Sequence, residues 1–327
     1  MADTSELAGT AGVPASGHLV ASPTELRNDR TLDIDVLATR DLLERLNDED
    51  LTVAPAVRRA LPDLAVVVDA AARSLQSDGR VHYFGSGTSG RIAFLDAAEL
   101  GPTFDLQAGV VVAHIAGGEP ALTNAAEGAE DDEASGAADA AEVTGADVVI
   151  GVTASGSAAY VAGALAYARQ AGAFTALFTS NPQAPIASLA DVVVCADTGS
   201  EAITGSTRLK AGTAQKLLLN SFSTALMVRS GRTYSNLMVR LTPVNAKLRA
   251  RQLRLLGQAT GASEGACAEA LAAAEGDLGV ALISLLSGAD TGTARRALAT
   301  AQGVVRAAVA VIETDKEAGW PTTTTPS

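Results

Sequence analysis

Three short stretches combine glycine with small hydroxyl residues in a way that suits a compact anion. Gly85, Gly87 and Gly90 enclose Ser86, Thr88 and Ser89, between the apolar run Val81–Phe84 and a helical pattern. The same G-x-G-x-x-G spacing opens dinucleotide sites. Here, however, hydroxyls fill the remaining places, and a second turn, Ser155-Gly156-Ser157, follows the apolar run Val148–Val152. Two such turns at the carboxyl ends of parallel strands suit one phosphate and a sugar's hydroxyls better than a pyrophosphate. Glycines that merely permit tight strand–helix packing are the plainer alternative. The third stretch, Thr204-Gly205-Ser206-Thr207-Arg208-Leu209-Lys210, places hydroxyls and two cations at the start of a long helix. Free backbone N–H groups there favour an anion, although an ordinary N-cap with solvated basic side chains has the same composition.

Acid–base chemistry would fall to carboxylates. In the helix predicted from Arg91 to Leu100, Glu99 lies four residues after Leu95 and seven after Ile92, on a face expected to turn toward the sheet. Partial burial and a place in the last helical turn would both raise its carboxyl, which suits proton transfer near neutrality. A fraying helix end would turn it to water instead. Glu127, Glu130, Asp131, Asp132 and Glu133 form an acidic cluster on an Ala-rich segment predicted as helix. Such clusters are commonly solvated faces, and spacing selects no member of this one. No His, Cys and carboxylate set has metal-ligand spacing, and no G-x-S-x-G elbow is present. Cys195 and Cys267 form no CxxC pair and read as reduced structural thiols.

The elements that would position these groups follow from periodicity. Val81–Phe84, Val110–Ile115, Val148–Val152, Phe174–Thr179 and Val192–Cys195 are nearly continuous apolar runs separated by helical patterns. That alternation predicts an α/β domain, a parallel sheet covered on both faces, over residues 67–232. Ahead of it, helices are expected from Thr31 to about Asn47 and from Val53 to Leu75, the second interrupted near Pro62. Those helices lack a visible partner surface, which a second subunit could supply. Residues 233–315 read as helical from about Asn245, with a small bundle broken at Gly261, Gly265 and Gly276. Residues 1–21 and 316–327 have the composition of a disordered leader and tail. The 327 residues are 47% apolar and carry a formal charge of −13, enough core for this plan and a poor match to nucleic acid or anionic lipid. With no signal pattern and no apolar run of membrane-spanning length, the cytoplasm is expected.

At this point the chain resembles a known family, the bacterial N-acetylmuramic acid 6-phosphate etherases, which are built on a sugar isomerase (SIS) domain. The matching blocks include Thr24-Glu25-Leu26-Arg27-Asn28, Leu46-Asn47-Asp48-Glu49-Asp50 and the Gly85–Arg91 turn. Leu95-Asp96-Ala97-Ala98-Glu99, Glu127-Gly128-Ala129-Glu130-Asp131 and the long stretch from Thr204 to Lys216 continue them in one register over about residues 22–315. The resemblance implies a five-stranded, flavodoxin-like parallel sheet flanked by helices, with N-terminal helices and a small ubiquitin-associated-like bundle at the C-terminus. It implies a homodimer that uses no metal or other cofactor and converts N-acetylmuramic acid 6-phosphate to N-acetylglucosamine 6-phosphate and D-lactate. It carries the acid–base roles onto Glu99 and Glu130; the helical spacing admits Glu99, whereas the spacing of the acidic cluster does not select Glu130.

Substrate contacts are expected from Ser86, Gly87, Thr88, Ser89, Ser155, Gly156, Ser157, Ser206, Thr207, Arg208 and Lys210. The chain also departs from the pattern. Where the family usually reads Ser-Gly-Arg-Thr-Pro-Tyr it has Ser155-Gly156-Ser157-Ala158-Ala159-Tyr160, and Ala98 and Leu100-Gly101 replace the usual Ser and Cys-Pro around Glu99. Two rival functions share the fold: a non-catalytic sugar-phosphate sensor, as in the glucokinase regulatory protein, and an aldose–ketose phosphate isomerase. Retention of both glutamates and of the Ser206–Lys216 block favours the etherase.

Overall fold

The computed structural model describes residues 22–240 and 246–318; the expected leader at 1–21 and the end of the tail lie outside them. After a docked N-terminal segment come helices α1 (Thr39–Asp50) and α2 (Val53–Gln76). Strand and helix then alternate: β1 (Val81–Gly85), α3 (Gly87–Phe104), β2 (Val111–Ile115), α4 (Pro120–Thr123), α5 (Glu133–Asp139), β3 (Val148–Val152), α6 (Ala159–Gln170), β4 (Phe174–Thr179), β5 (Val192–Cys195) and α7 (Lys210–Arg229). A short hairpin, β6 (Thr233–Tyr234) and β7 (Leu237–Met238), leads into α8 (Ala246–Thr260), α9 (Glu264–Ala273), α10 (Leu278–Ser287), α11 (Thr291–Thr300) and α12 (Val305–Ala318).

All five main strands are parallel, in the order β2-β1-β3-β4-β5. Alternate residues of β1 serve opposite faces, as a strand's two-residue period requires. Val81 and Tyr83 join the core that α2, α3 and α7 cover, while Phe84 joins the core under α5 and α6. Both layers are built mainly from Ala, Val and Leu, with Phe178 and Phe222 in edge-to-face contact. A separate cluster around Leu278, Val280 and Ile283 holds the C-terminal helices together, and Tyr234 of the hairpin and Val239 just after it pack into it.

Several predicted boundaries move. The first helix starts at Thr39 rather than Thr31, because residues 22–31 are docked elsewhere: the Thr31 hydroxyl donates to Ala202 O at 2.9 Å. Pro62 does not interrupt α2, whose buried Val57, Ala60, Leu64 and Val67 outweigh one lost backbone hydrogen bond. Helix α3 likewise runs through Gly101 and Pro102, burying Leu100 and Phe104, and ends at Asp105 in the left-handed conformation. The acidic cluster is not one helix: Gly128 at φ +74° breaks it into a loop, a single 3-10 turn (Ala129–Asp131) and α5. Gly265 lies inside α9, and α12 extends past the expected end of the bundle at 315.

Candidate active site

In open parallel sheets ligands bind beyond the carboxyl ends of the strands, where the strand order reverses. Here that point lies between β1 and β3, whose connections leave toward opposite edges. The register pairs Gly85 with Val152, so the turns that follow them, Ser86–Ser89 and Ser155–Ser157, stand side by side. Ser86 is the N-cap of α3 yet makes no side-chain capping bond, which leaves its hydroxyl available. Gly87 has φ +51° and open space where a Cβ would stand, so the backbone can be approached closely there. The first N–H groups of α3 add the donors a phosphate needs.

Inner partners hold both turns. Ser89 Oγ lies 3.0 Å from Gln215 Oε1 on α7, and Asn181 Nδ2 donates to Ser155 O at 2.8 Å. Ser155 and Ser157 hydroxyls are 2.8 Å apart, with Ser157 exposed at the mouth. A Cβ added to Gly212 would touch the Thr88 methyl at 3.4 Å, so the start of α7 sits against the first turn and brings the half-buried Ser206 and Thr207 near it. Arg208 is exposed.

The third stretch behaves differently from its reading as an anion site. The start of α7 already holds a carboxylate: Glu201 accepts from Lys210 N and Ala211 N, both at 2.9 Å. The Lys210 ammonium is buried and donates to Glu49 Oε2 at 2.8 Å, so it points into the protein rather than toward ligand. Glu49 also accepts from Asn28 and from both Nε and Nη2 of Arg30. Its carboxyl is held down at about 2, first by Arg30, against the opposing effect of burial, with Lys210 and Asn28 adding to the pull. Glu49 lies within one of the family-like blocks, but its spacing there does not distinguish it from the neighbouring acids. A lone acid nine residues ahead of a helix start, like Glu201, carries no sequence signal of its own.

Glu99 does not face the sheet. Ala93, Asp96 and Leu100 form the inward face of α3, while Glu99 is exposed beside Leu95, 54% exposed, and Phe94, 39% exposed. Asp96 occupies the core because Tyr83 Oη and Ser223 Oγ donate to it at 3.1 and 2.9 Å. Twelve residues of helix separate Glu99 from Gly87, about 18 Å along the axis, a wide gap for one glutamate and one aminosugar phosphate to bridge. Glu130, on its 3-10 turn beyond β2, reaches the surface, but the protein around it strips part of its hydration. That desolvation first, and the neighbouring Asp131 charge second, raise its carboxyl.

Among the described residues no group of three or more His, Cys, Asp or Glu could hold a metal ion, and no single helix is long and apolar enough to cross a membrane. A cavity of about 760 Å³ opens at the opposite, amino ends of β1 and β2, lined by Arg80, Val110 and Arg232, and contains none of the predicted site residues.

The five-stranded parallel sheet with hydroxyl turns at its switch point is a sugar isomerase (SIS) domain by its match to two family models. The SIS domain model matches residues 122–225, and that of the glucokinase regulatory protein N-terminal SIS domain matches residues 63–169. Over 270 residues the chain is 57% identical to an N-acetylmuramic acid 6-phosphate etherase of Thermobifida fusca, covering 83% of this chain and 89% of that one. It is 48% identical to the protein of that name from an Enterobacter species, over 83% of this chain and 91% of the relative. A third relative of the same name, from Pseudoalteromonas atlantica, is 48% identical over 81% of this chain and 87% of its own. The chain belongs to the N-acetylmuramic acid 6-phosphate etherase family.

Proposed function

We propose that this protein is a lyase that releases D-lactate from N-acetylmuramic acid 6-phosphate and leaves N-acetylglucosamine 6-phosphate, acting in the cytoplasm. The observation that carries the reading is the pair of hydroxyl turns side by side at the switch point, in a chain of this family. Ser86–Ser89 with the start of α3 would take the phosphate, and Ser155–Ser157 the sugar. In the opened sugar the C1 aldehyde acidifies the C2 proton. Glu130 removes it; the C3–oxygen bond breaks, and Glu99 protonates the departing lactyl oxygen. Water activated by Glu99 then adds to C3 of the unsaturated aldehyde, and Glu130 returns the proton to C2. A raised carboxyl makes Glu130 a stronger base, and each proton transfer contributes roughly 10²–10⁴-fold.

The distance along α3 gives the proposed homodimer a chemical role. A second copy seated over Phe94 and Leu95 would cover exposed apolar surface and carry its own Glu99 toward this chain's turns. The test is to incubate the purified protein with N-acetylmuramic acid 6-phosphate, without added metal or nucleotide, and assay D-lactate. Wild type should release it, and Glu99→Gln should bind substrate without turnover. Tight binding with no lactate from the wild type would make the protein a sensor, and unchanged turnover in Glu99→Gln would remove Glu99 from the mechanism.

A further inference from the structure

Arg91 sits one residue beyond the Ser86–Gly90 turn, in the first turns of α3, and its guanidinium does not point at the ligand side of that turn. It reaches across to the segment after β2, where Nε donates to Ala121 O at 3.0 Å and Leu122 O at 3.2 Å, and Nη2 donates to Asn124 O at 2.8 Å. Those carbonyls close the four-residue α4, where no further helical turn supplies N–H partners. Six residues after Asn124 comes Glu130. A second contact fixes the same segment from beneath: Gly117 has φ +85°, and a Cβ there would stand 2.7 Å from Ala126 Cβ and 3.4 Å from those of Ala121 and Ala129. The segment therefore lies flat on the end of β2. On its far side Asp132 caps α5, accepting from Ser135 N at 2.9 Å. Glu130 is thus suspended between an anchor on the phosphate-binding helix and an anchor on α5.

We infer that Arg91 is a positioning residue that ties the placement of Glu130 to the turn holding the phosphate. The inference rests on the reading of Glu130 as an acid–base group given above. Its logic is geometric. The phosphate end and the C2 end of one substrate would be read by two loops from different strands, and a single planar side chain just beyond the first loop holds three carbonyls of the second. A lysine keeps the charge but lacks the fork that satisfies several acceptors in one plane. Misplacing a catalytic group by about 1 Å can cost on the order of 10²-fold in rate.

The test compares Arg91→Lys and Arg91→Ala with wild type in D-lactate release, across pH, alongside thermal melting and with Glu130→Gln as control. The expected result is a kcat lowered roughly 10- to 100-fold with KM within about threefold, and a displaced pH limb in both variants. Millimolar methylguanidine should restore part of kcat to Arg91→Ala and none to Glu130→Gln. If Arg91→Ala melts much earlier than wild type, the stable Arg91→Lys carries the comparison. A rise in KM at unchanged kcat would make Arg91 a substrate ligand and overturn the inference. So would wild-type kcat and pH profile in both variants, or losses that simply follow melting temperature. Should Glu130→Gln turn over normally, the acid–base reading itself fails, whatever the Arg91 variants do.

Discussion

Glu49→Gln is the perturbation whose cost the structure defines most sharply. The carboxylate and the Lys210 ammonium it faces are 2% and 1% exposed, and they meet at 2.8 Å. Replacing the carboxylate with an amide leaves that buried ammonium with only the Glu201 charge, beyond ion-pair contact, to offset it, which costs up to about 3–5 kcal/mol. For a chain of this size that is a fall in Tm on the order of 10 °C. A second route to the magnitude gives a similar figure. Holding the carboxyl near about 2, from an ordinary value of 4.5, corresponds to about 3 kcal/mol. Its strongest partner, Arg30, is 63% exposed, so solvent screening makes this an upper bound. Because the folded value lies below the unfolded one, the contribution is complete above pH 4.5 and disappears as pH falls toward 2. Chemical denaturation of wild type and Glu49→Gln should therefore differ by a constant amount near neutrality, with the gap closing through that acid window. Adding Lys210→Met to Glu49→Gln removes the stranded ammonium and should recover part of the loss. A Tm within about 2 °C of wild type, or a gap that persists to pH 2, would refute the account of this pair.

Two further outcomes follow from buried or exposed groups at the sheet ends. His82, 2% exposed and pushed down to about 4 by burial and then by His114, stays neutral in the fold and charges at 6.5 when unfolded. Its stabilisation is complete above pH 6.5 and lost on descent toward 4, by at most about 3 kcal/mol, so His82→Phe should flatten the stability profile in denaturant titrations over that window. Ser157→Arg places a guanidinium at the exposed mouth of the second turn; about 1 kcal/mol of added attraction for the anionic substrate should lower KM roughly fivefold, measured by lactate release at low salt.

The sheet was legible because a parallel strand buried on both faces must be apolar throughout, and all five runs became strands within a residue of their predicted ends. The turns were legible for a related reason, since their glycines and hydroxyls follow directly on those strands. The face of α3 was not. Apolar spacing put Ile92, Leu95 and Glu99 inward; Ile92 does pack against the core, but Leu95 and Glu99 are exposed and the helix buries Ala93, Asp96 and Leu100. A small residue and a carboxylate satisfied by Tyr83 and Ser223 make the inner face, and periodicity reads both as surface. Lys210 and Glu201 were opaque for the converse reason: a cation and an acid look solvated until the fold shows what each one meets.

The contacts of Glu201 and Lys210 bear directly on how an anion can be recognised. With the start of α7 filled by Glu201 and the Lys210 ammonium turned inward, the third stretch loses its helix terminus and one of its two cations as phosphate donors. For the phosphate site proposed above, neutral donors remain, the N–H groups of α3 and the hydroxyls of Ser86 and Thr88, with Arg208 at the exposed rim. A phosphate held mainly by neutral groups is recognised by the number and direction of its hydrogen bonds more than by charge, which is compatible with a formal charge of −13 over the chain. It also makes the turn's orientation decisive. A neutral cradle loses its grip quickly when its donors diverge, and both Gln215 behind Ser89 and Asn181 behind Ser155 act against that divergence.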